Sequence, residues 1–249
     1  MDNHKPFKMK KLLFLSLLFA ATFVSAQEIF NAHYRHVKAE NVAEFEKLES
    51  QYWQKIAQKA VDAGEIEYWV LLRRVNTIGL AETEPTHVFI TGYTSPEKAF
   101  DAPATWWSKG DQSKGTTEIS NAVIHQFWKT EDRIPGEGKY VIFNYATPKN
   151  LDGFVKENSS LWKPYFEKNK KNTGMKFWGM ASKVAPHAKG YSTVLTWDGF
   201  DKLSDAMNHL SYGGSIDQSV LDKTKMNEIN PDGFNTRAVM EIISFAMKP

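Results

Sequence analysis

Cysteine is absent from all 249 residues. That excludes disulfides, thiol nucleophiles, thiolate metal sites and a lipid anchor attached through cysteine. A charge surplus is missing too: 31 Lys and Arg face 29 Asp and Glu, a net charge of +2. Nucleic acid requires a strongly basic face, so no nucleic-acid partner is expected. Long hydrophobic runs are scarce. The longest, Leu12 to Val24, has thirteen residues, where a membrane-spanning helix needs about 20. It follows Lys5, Lys8, Lys10 and Lys11 and closes on Val24-Ser25-Ala26. Residues 1–26 therefore read as a secretory signal cleaved before Gln27. The expected location is periplasmic or secreted, with no membrane anchor after cleavage. The signal holds four Lys and one Asp, leaving 27 basic and 28 acidic side chains on 223 residues. The basic surplus belongs to the leader.

Catalytic signatures are also lacking. There is no P-loop, no G-x-S-x-G, no H-E-x-x-H, no G-x-G-x-x-G after a strand and no EF-hand loop. No two histidines have a spacing that demands a metal, so no metal site is assigned. Asp-Gly-Phe occurs at 152–154, 198–200 and 232–234 and reads as turn and helix-start chemistry. Asn158-Ser159-Ser160 fits a glycosylation sequon inside an expected helix.

Aromatic residues, by contrast, make up 13% of the chain, and they repeat. At a spacing of 109, Asn41 matches Asn150, Phe45 matches Phe154, Trp53 matches Trp162, Trp69 matches Trp178 and Val75 matches Val184. Later the spacing changes to 104, pairing Tyr93 with Trp197 and Lys98 with Lys202. Near the ends it is 116, pairing Ala122 and Val123 with Ala238 and Val239. Residues 27–134 and 138–249 thus form two copies, joined through the turn-like Arg133-Ile134-Pro135-Gly136-Glu137-Gly138. Each copy reads strand, helix, strand, strand, helix, strand. Strands are expected near 29–37, 66–75, 87–94 and 122–129. The first helix opens at Asn41 with Glu44 three residues on, like a capping box, and carries Val42, Phe45, Leu48, Tyr52 and Ile56 on one stripe. In copy two Asn150 caps the matching helix, and Pro164 is expected to kink or end it. Phe200, Leu203, Met207 and Leu210 mark a later helix stopped by Gly213-Gly214, and Ser215 to Ile229 an extra one.

βαββαβ is the ferredoxin-like unit, an α+β fold with two helices on one face of an antiparallel sheet. Strands such as Val70-Leu71-Leu72 and Val88-Phe89-Ile90 are apolar on both faces, so the second face needs a partner. Two copies packed sheet to sheet supply it and close a barrel within one chain. At this point the chain resembles the dimeric α+β barrel superfamily, in a tandem form similar to antibiotic-biosynthesis-monooxygenase-like proteins. The resemblance rests on topology and the aromatic repeat over nearly all of 28–247. It implies a cofactor-independent or haem-linked oxidative enzyme, though no family motif transfers residue by residue.

Polar residues inside strands are the candidate chemistry. His33 and Arg35 share one face of the first strand. With strand order 4-1-3-2, His125 and His87 join them, on what is expected to be the lumen face. The matching positions assigned in copy two are Ile142, Asn144 and Glu241. His125 and His33 are the candidate proton carriers or haem ligands, and Arg35 the anion anchor. His87, Asn144 and Glu241 are candidate ligand contacts; Trp106 and Trp107, in a Pro/Gly-flanked loop, form a candidate lid. The bland reading is that these residues pair with one another, as His125 with Glu241, and that the repeated tryptophans are core. The expected partner is a small molecule in the lumen of an intrachain pseudo-dimer. The alternative is a non-catalytic ligand-binding or structural protein of the same fold.

Overall fold

The computed structural model describes residues 28–100, 106–211 and 216–248. The expected signal segment, Tyr212 and the Gly213-Gly214 stop lie outside the described residues. β-branched and aromatic side chains alternate through Ile29–His36, which forms β1. Helix α1 follows in three parts: Val42–Leu48, a π-helical turn Glu49–Trp53, and Gln54–Asp62. Gly64, at a φ of 71°, turns the chain away. β2 (Tyr68–Arg74), β3 (His87–Tyr93), a short α2 (Pro96–Phe100) and β4 (Asn121–Ile134) complete the first half. The second half repeats this order. It comprises β5 (Tyr140–Ala146) and α3, which runs through Leu151–Glu157, a π-helical turn Asn158–Trp162 and Lys163–Thr173. Then come β6 (Met175–Ala185), β7 (Val194–Phe200), α4 (Leu203–Leu210), the short α5 (Gln218–Leu221) and α6 (Met226–Ile229), and β8 (Phe234–Met247).

The strands close a barrel in the order β1-β3-β2-β8-β5-β7-β6-β4. Two 4-1-3-2 sheets are joined by antiparallel β2–β8 and β4–β6 ladders, so no edge is left unpaired. Inward residues of the strands, among them Phe30, Tyr34, Leu72, Val88, Trp128, Phe143, Leu195 and Met240, pack into one cluster that fills the barrel. Helix α1 covers the outward Trp69 and Leu71 of the first half. Helices α3 and α4 cover Ile142, Trp178 and Phe200 of the second. Two interior features show the internal symmetry. Tyr68 lies over Gly92 and Phe177 over Gly199, so close that a Cβ there would come within 2.3 and 2.1 Å of the rings. The Tyr34 and Tyr145 hydroxyls, from equivalent strands, meet at 2.7 Å.

Several expectations change. The repeat spacing of 109 holds along α1/α3 and β2/β6 but drifts in the other strands. Thr86 N–H donates to Arg35 O and Thr193 N–H to Ala146 O, so Arg35 corresponds to Ala146 and His33 to Asn144. By the same ladder His125, paired with His33, corresponds to Arg237, paired with Asn144. Tyr93/Trp197, Lys98/Lys202 and Ala122/Ala238 are not equivalent, because unequal turns displace the strands. Pro164 does not end α3: the π-helical turn sets it at the start of a new α-helical segment, where its missing N–H leaves no bond unmade. Asn41 lies in a 3-10 turn and makes no cap, whereas Asn150 accepts from Gly153 N–H at 2.9 Å. Phe200 and Asp198-Gly199 belong to β7 rather than to a helix start, and the insertion carries two short helices. Asn158 is buried, bonded to Phe154 O, which removes the sequon from the surface.

Candidate active site

His33, Arg35, His87 and His125 do share one strand face. It is the outward face and not the barrel lumen: α1 and the 106–120 loop bury Arg35 and His87 there, whereas His125 at the end of the row is exposed. The inward face of β1 supplies Phe30, Ala32 and Tyr34, which fill the interior. Asn144 and Glu241 face outward as well, since their neighbours Phe143 and Met240 belong to the interior cluster. The outward side chains of the first half fall in two rows across the sheet. One runs His125, His33, Phe89, Leu71; the next runs Ala122, Arg35, His87, Arg73, Glu241.

In the first row the His33 and His125 rings lie 5.3 Å apart. His33 leans on Phe89, and His125 on Phe127, which stacks on Phe100 at 4.3 Å. Burial, then the Arg35 and His125 charges, hold the His33 pKa down at about 4. Burial lowers that of His125 also. Both rings are therefore neutral near pH 7. His33 Nε2 faces an Arg35 guanidinium nitrogen at 3.5 Å. His125 makes no hydrogen bond among the described residues, and its ring has an edge open to solvent. It is the ring with a nitrogen available to a guest.

Arg35, expected as the anion anchor, spends its best-placed donors on the protein itself. Its Nε donates to Ser120 Oγ at 2.8 Å and its Nη2 to Ser120 O at 2.7 Å. Ser120 Oγ donates to Thr116 O, and Thr116 Oγ1 to Glu49 Oε1 at 2.7 Å. Glu49, buried on the π-helical turn, has its pKa pushed up by that burial to about 7, against the pull of Thr116 and Arg35. Arg35 is thus a positioning residue that ties the 116–120 loop to the sheet beneath His33. Glu49 and Ser120 were not singled out from sequence, although Phe45, Glu49 and Trp53 at helical spacing place a carboxylate between two buried aromatics.

The second row opens on a cleft of about 620 Å³ lined by His36, Val42, Arg73, Ile78, His87 and Glu241 among others. Its charges satisfy one another. Arg73 bonds Glu46 at 3.1 Å and Glu241 at 2.6 Å, Lys139 reaches Glu241 at 3.1 Å, and His87 Nε2 lies 3.2 Å from Glu46. Burial works against the Arg73 charge, but the Glu241 and Glu46 carboxylates outweigh it. Glu241 pairs here and not with His125. Arg73 was missed although the alternation Trp69, Leu71, Arg73 puts it on the outward face.

In the second half Arg237 and Asn144 occupy the places of His125 and His33. Arg237 Nε donates to Asn144 Oδ1, and Asn144 Nδ2 to Asp198 Oδ2, both at 2.7 Å. His209 stands 3.5 Å from Asp198. This network ties Arg237, Asn144, Asp198 and His209 to one another. Trp106 packs against the α1 core; Trp107 is exposed, and residues 101–105 beside them lie outside the described residues. Trp53 holds the same loop, its Nε1 donating to Lys114 O at 2.7 Å.

A haem fits poorly. His33 Nε2 faces a cation, both His87 nitrogens are engaged by Thr86 and Glu46, and neither wide cleft touches His33 or His125. Among the described residues no cluster of His, Asp and Glu could hold a metal ion, and no helix is long and apolar enough to cross a membrane.

No protein-family model and no curated protein matches the sequence. Solved structures do. A proposed monooxygenase from Lactobacillus acidophilus NCFM superposes with a TM-score of 0.57 at 10% identity, over 89% of this chain and 96% of that one. The chain has the dimeric α+β barrel fold. An anthrone oxidase-like protein matches at 0.53 and 10% identity, over 89% of this chain and 93% of that one. A chlorite dismutase variant from Candidatus Nitrospira defluvii matches at 0.51 and 10% identity, over 97% and 95%. The tandem α+β barrel described here therefore shares its architecture with proteins named for oxidative chemistry.

Proposed function

We propose that this tandem barrel is an exported oxidative enzyme that acts on a small aromatic molecule at the His33–His125 face. His125 is the general base. The observation that carries the reading is an unpartnered His125 imidazole, its pKa lowered by burial, against an aromatic wall of Phe127 stacked on Phe100 and beside His33, which leans on Phe89. A substrate with an acidic C–H or O–H, stacked on that wall, gives its proton to His125. The electron-rich anion that results reduces dioxygen without a cofactor, one oxygen atom ending as a carbonyl on the oxidised carbon and the other leaving as water, chemistry in keeping with the likeness to a proposed monooxygenase and an anthrone oxidase-like protein. Arg35 holds His33, and His33 holds the base in place.

The test uses anthrone as a probe and an oxygen electrode. Oxygen uptake is expected, and His125→Ala should lower it by about 10²- to 10⁴-fold, while Arg237→Ala, its counterpart in the other half, leaves it unchanged. Because the His125 pKa lies below the usual 6.5, the acid limb of the rate profile should fall below pH 6.5. Unaltered turnover in His125→Ala sinks the assignment.

The second reading is a non-catalytic binder. It is favoured by the mutually neutralised lining of the Arg73–Glu241 cleft, which fits holding a guest better than transforming it. Saturable binding of anthrone without oxygen uptake would select it.

A further inference from the structure

The end of the barrel interior where β4, β6 and β7 meet is built unlike its counterpart. Trp128 on β4, Lys183 on β6 and Thr193, the residue before β7, form one inward row. Trp128 pairs with Lys183, and Lys183 N–H donates to Thr193 O at 2.9 Å. All three carry polar atoms without a hydrogen-bond partner. Trp128 Nε1 and Thr193 Oγ1 are buried and unsatisfied. Lys183 is only 7% exposed, and no carboxylate accompanies it among the described residues. Its Nζ sits instead over two aromatic faces, Trp128 at 4.7 Å and Tyr191 at 4.9 Å. A lysine this little exposed normally has an anion beside its ammonium, and buried donors normally have acceptors.

At the equivalent end in the first half the same row is complete. Met240, with no polar hydrogen, stands in place of Trp128. Arg74 stands for Lys183 and pairs with Glu84 at 3.6 Å. Thr86 stands for Thr193, its hydroxyl accepting from Val37 N–H at 2.9 Å and lying 2.9 Å from His87 Nδ1. Glu84 comes from the β2–β3 loop. The matching β6–β7 loop, residues 186–192, contains His187, Lys189 and Tyr191 and no acidic residue. Where one half supplies a carboxylate, the other supplies an aromatic roof and two unpaired donors.

We propose that the Trp128–Lys183–Thr193 end of the barrel binds a small carboxylate, which takes the place that Glu84 fills in the first half. The Lys183 ammonium supplies the charge, Trp128 Nε1–H and Thr193 Oγ–H the hydrogen bonds, and the Tyr191 ring covers the guest. Consistent with a lysine waiting for an anion, burial alone lowers the Lys183 pKa to about 8.

The experiment is independent of turnover at His125, so its outcome does not depend on that reading. The full chain is labelled with ¹⁵N-tryptophan and ¹³Cε-lysine, Trp128 being assigned by Trp128→Phe, and titrated with sodium acetate at constant ionic strength against sodium chloride. Acetate should shift the Trp128 indole resonance saturably and raise the Lys183 titration midpoint by about one pH unit. Lys183→Met should abolish both responses. Tyr191→Glu, which places a carboxylate in the loop, should raise the midpoint without acetate and block binding, a check that holds even if Lys183→Met unfolds. Nitrate and phosphate acting as well as acetate would overturn carboxylate selectivity. A response to acetate no different from that to chloride, or one that survives Lys183→Met in a folded protein, would overturn the site.

Discussion

The two halves share a fold and differ in what they put between sheet and helix. In the first, the π-helical turn of α1 carries Glu49, and the sheet below carries His33, Arg35, His87 and His125. In the second, the same turn carries Asn158, bonded to its own helix, and the sheet offers Asn144, Ala146, Val194 and Arg237. A π-helical turn at the same place in both shows that this irregularity belongs to the architecture, since it aims Trp53 and Trp162 at matching positions. The side chains at equivalent positions nonetheless differ between the two copies. Two identical chains in a homodimer cannot diverge in this way.

The comparison is sharpened first by the aromatic cores. Trp69→Ala and Trp178→Ala remove fully buried indoles at equivalent positions, and each should cost about 3–5 kcal/mol in urea unfolding. A cost below about 1 kcal/mol for one of them would break the equivalence of the halves.

Next comes pH. The Glu49 pKa is raised to about 7 from 4.5, so the folded chain holds a proton that the unfolded chain has lost. Its contribution is fully present below pH 4.5 and is lost as pH rises through 7, a loss on the order of 3 kcal/mol. Glu49→Gln should flatten that decline in denaturation curves taken across this range. His33, held at about 4, acts in the opposite sense: stability falls as pH drops from 6.5 towards 4. Asn158→Asp, the reciprocal change, should introduce a Glu49-like decline into the second half.

Much of this architecture is visible in the chain itself. Trp69/Trp178 and Phe45/Phe154 reveal the duplication because large buried aromatics tolerate little change in place. Alternation reveals that His33, Arg35 and His125 share a face. Which face turns inward is not legible, because both faces of β2 and β3 carry apolar residues to bury, one against the other sheet and one under α1, and the polar face of β1 fits a lumen as well as a helix-covered surface. Hence the assignment of the histidines to the lumen failed. Glu49 was hidden for a related reason: a carboxylate on a helix reads as solvent-facing unless its buried neighbours Phe45 and Trp53 are given more weight.

Smaller effects test the seam and the caps. Tyr34→Phe strands the buried Tyr145 hydroxyl and should cost about 1–3 kcal/mol, whereas Tyr34→Phe with Tyr145→Phe should cost less than the single change. Asn150→Ala removes a true helix cap and should cost about 1 kcal/mol. Asn41→Ala, which removes only a 3.3 Å bond to Ile119 O, should cost less. Chemical denaturation of the four variants is sufficient to rank them.

The barrel order carries one more implication, for the chain as it is being made. β8 is made after the other seven strands of the barrel, yet it lies between β2 and β5. Until it arrives, both of those strands have an unsatisfied side, and the nascent protein presents two sticky margins to whatever is nearby. This fourteen-residue strand is therefore the zip of the barrel, and a chain cut short before Phe234 is left with its seam open.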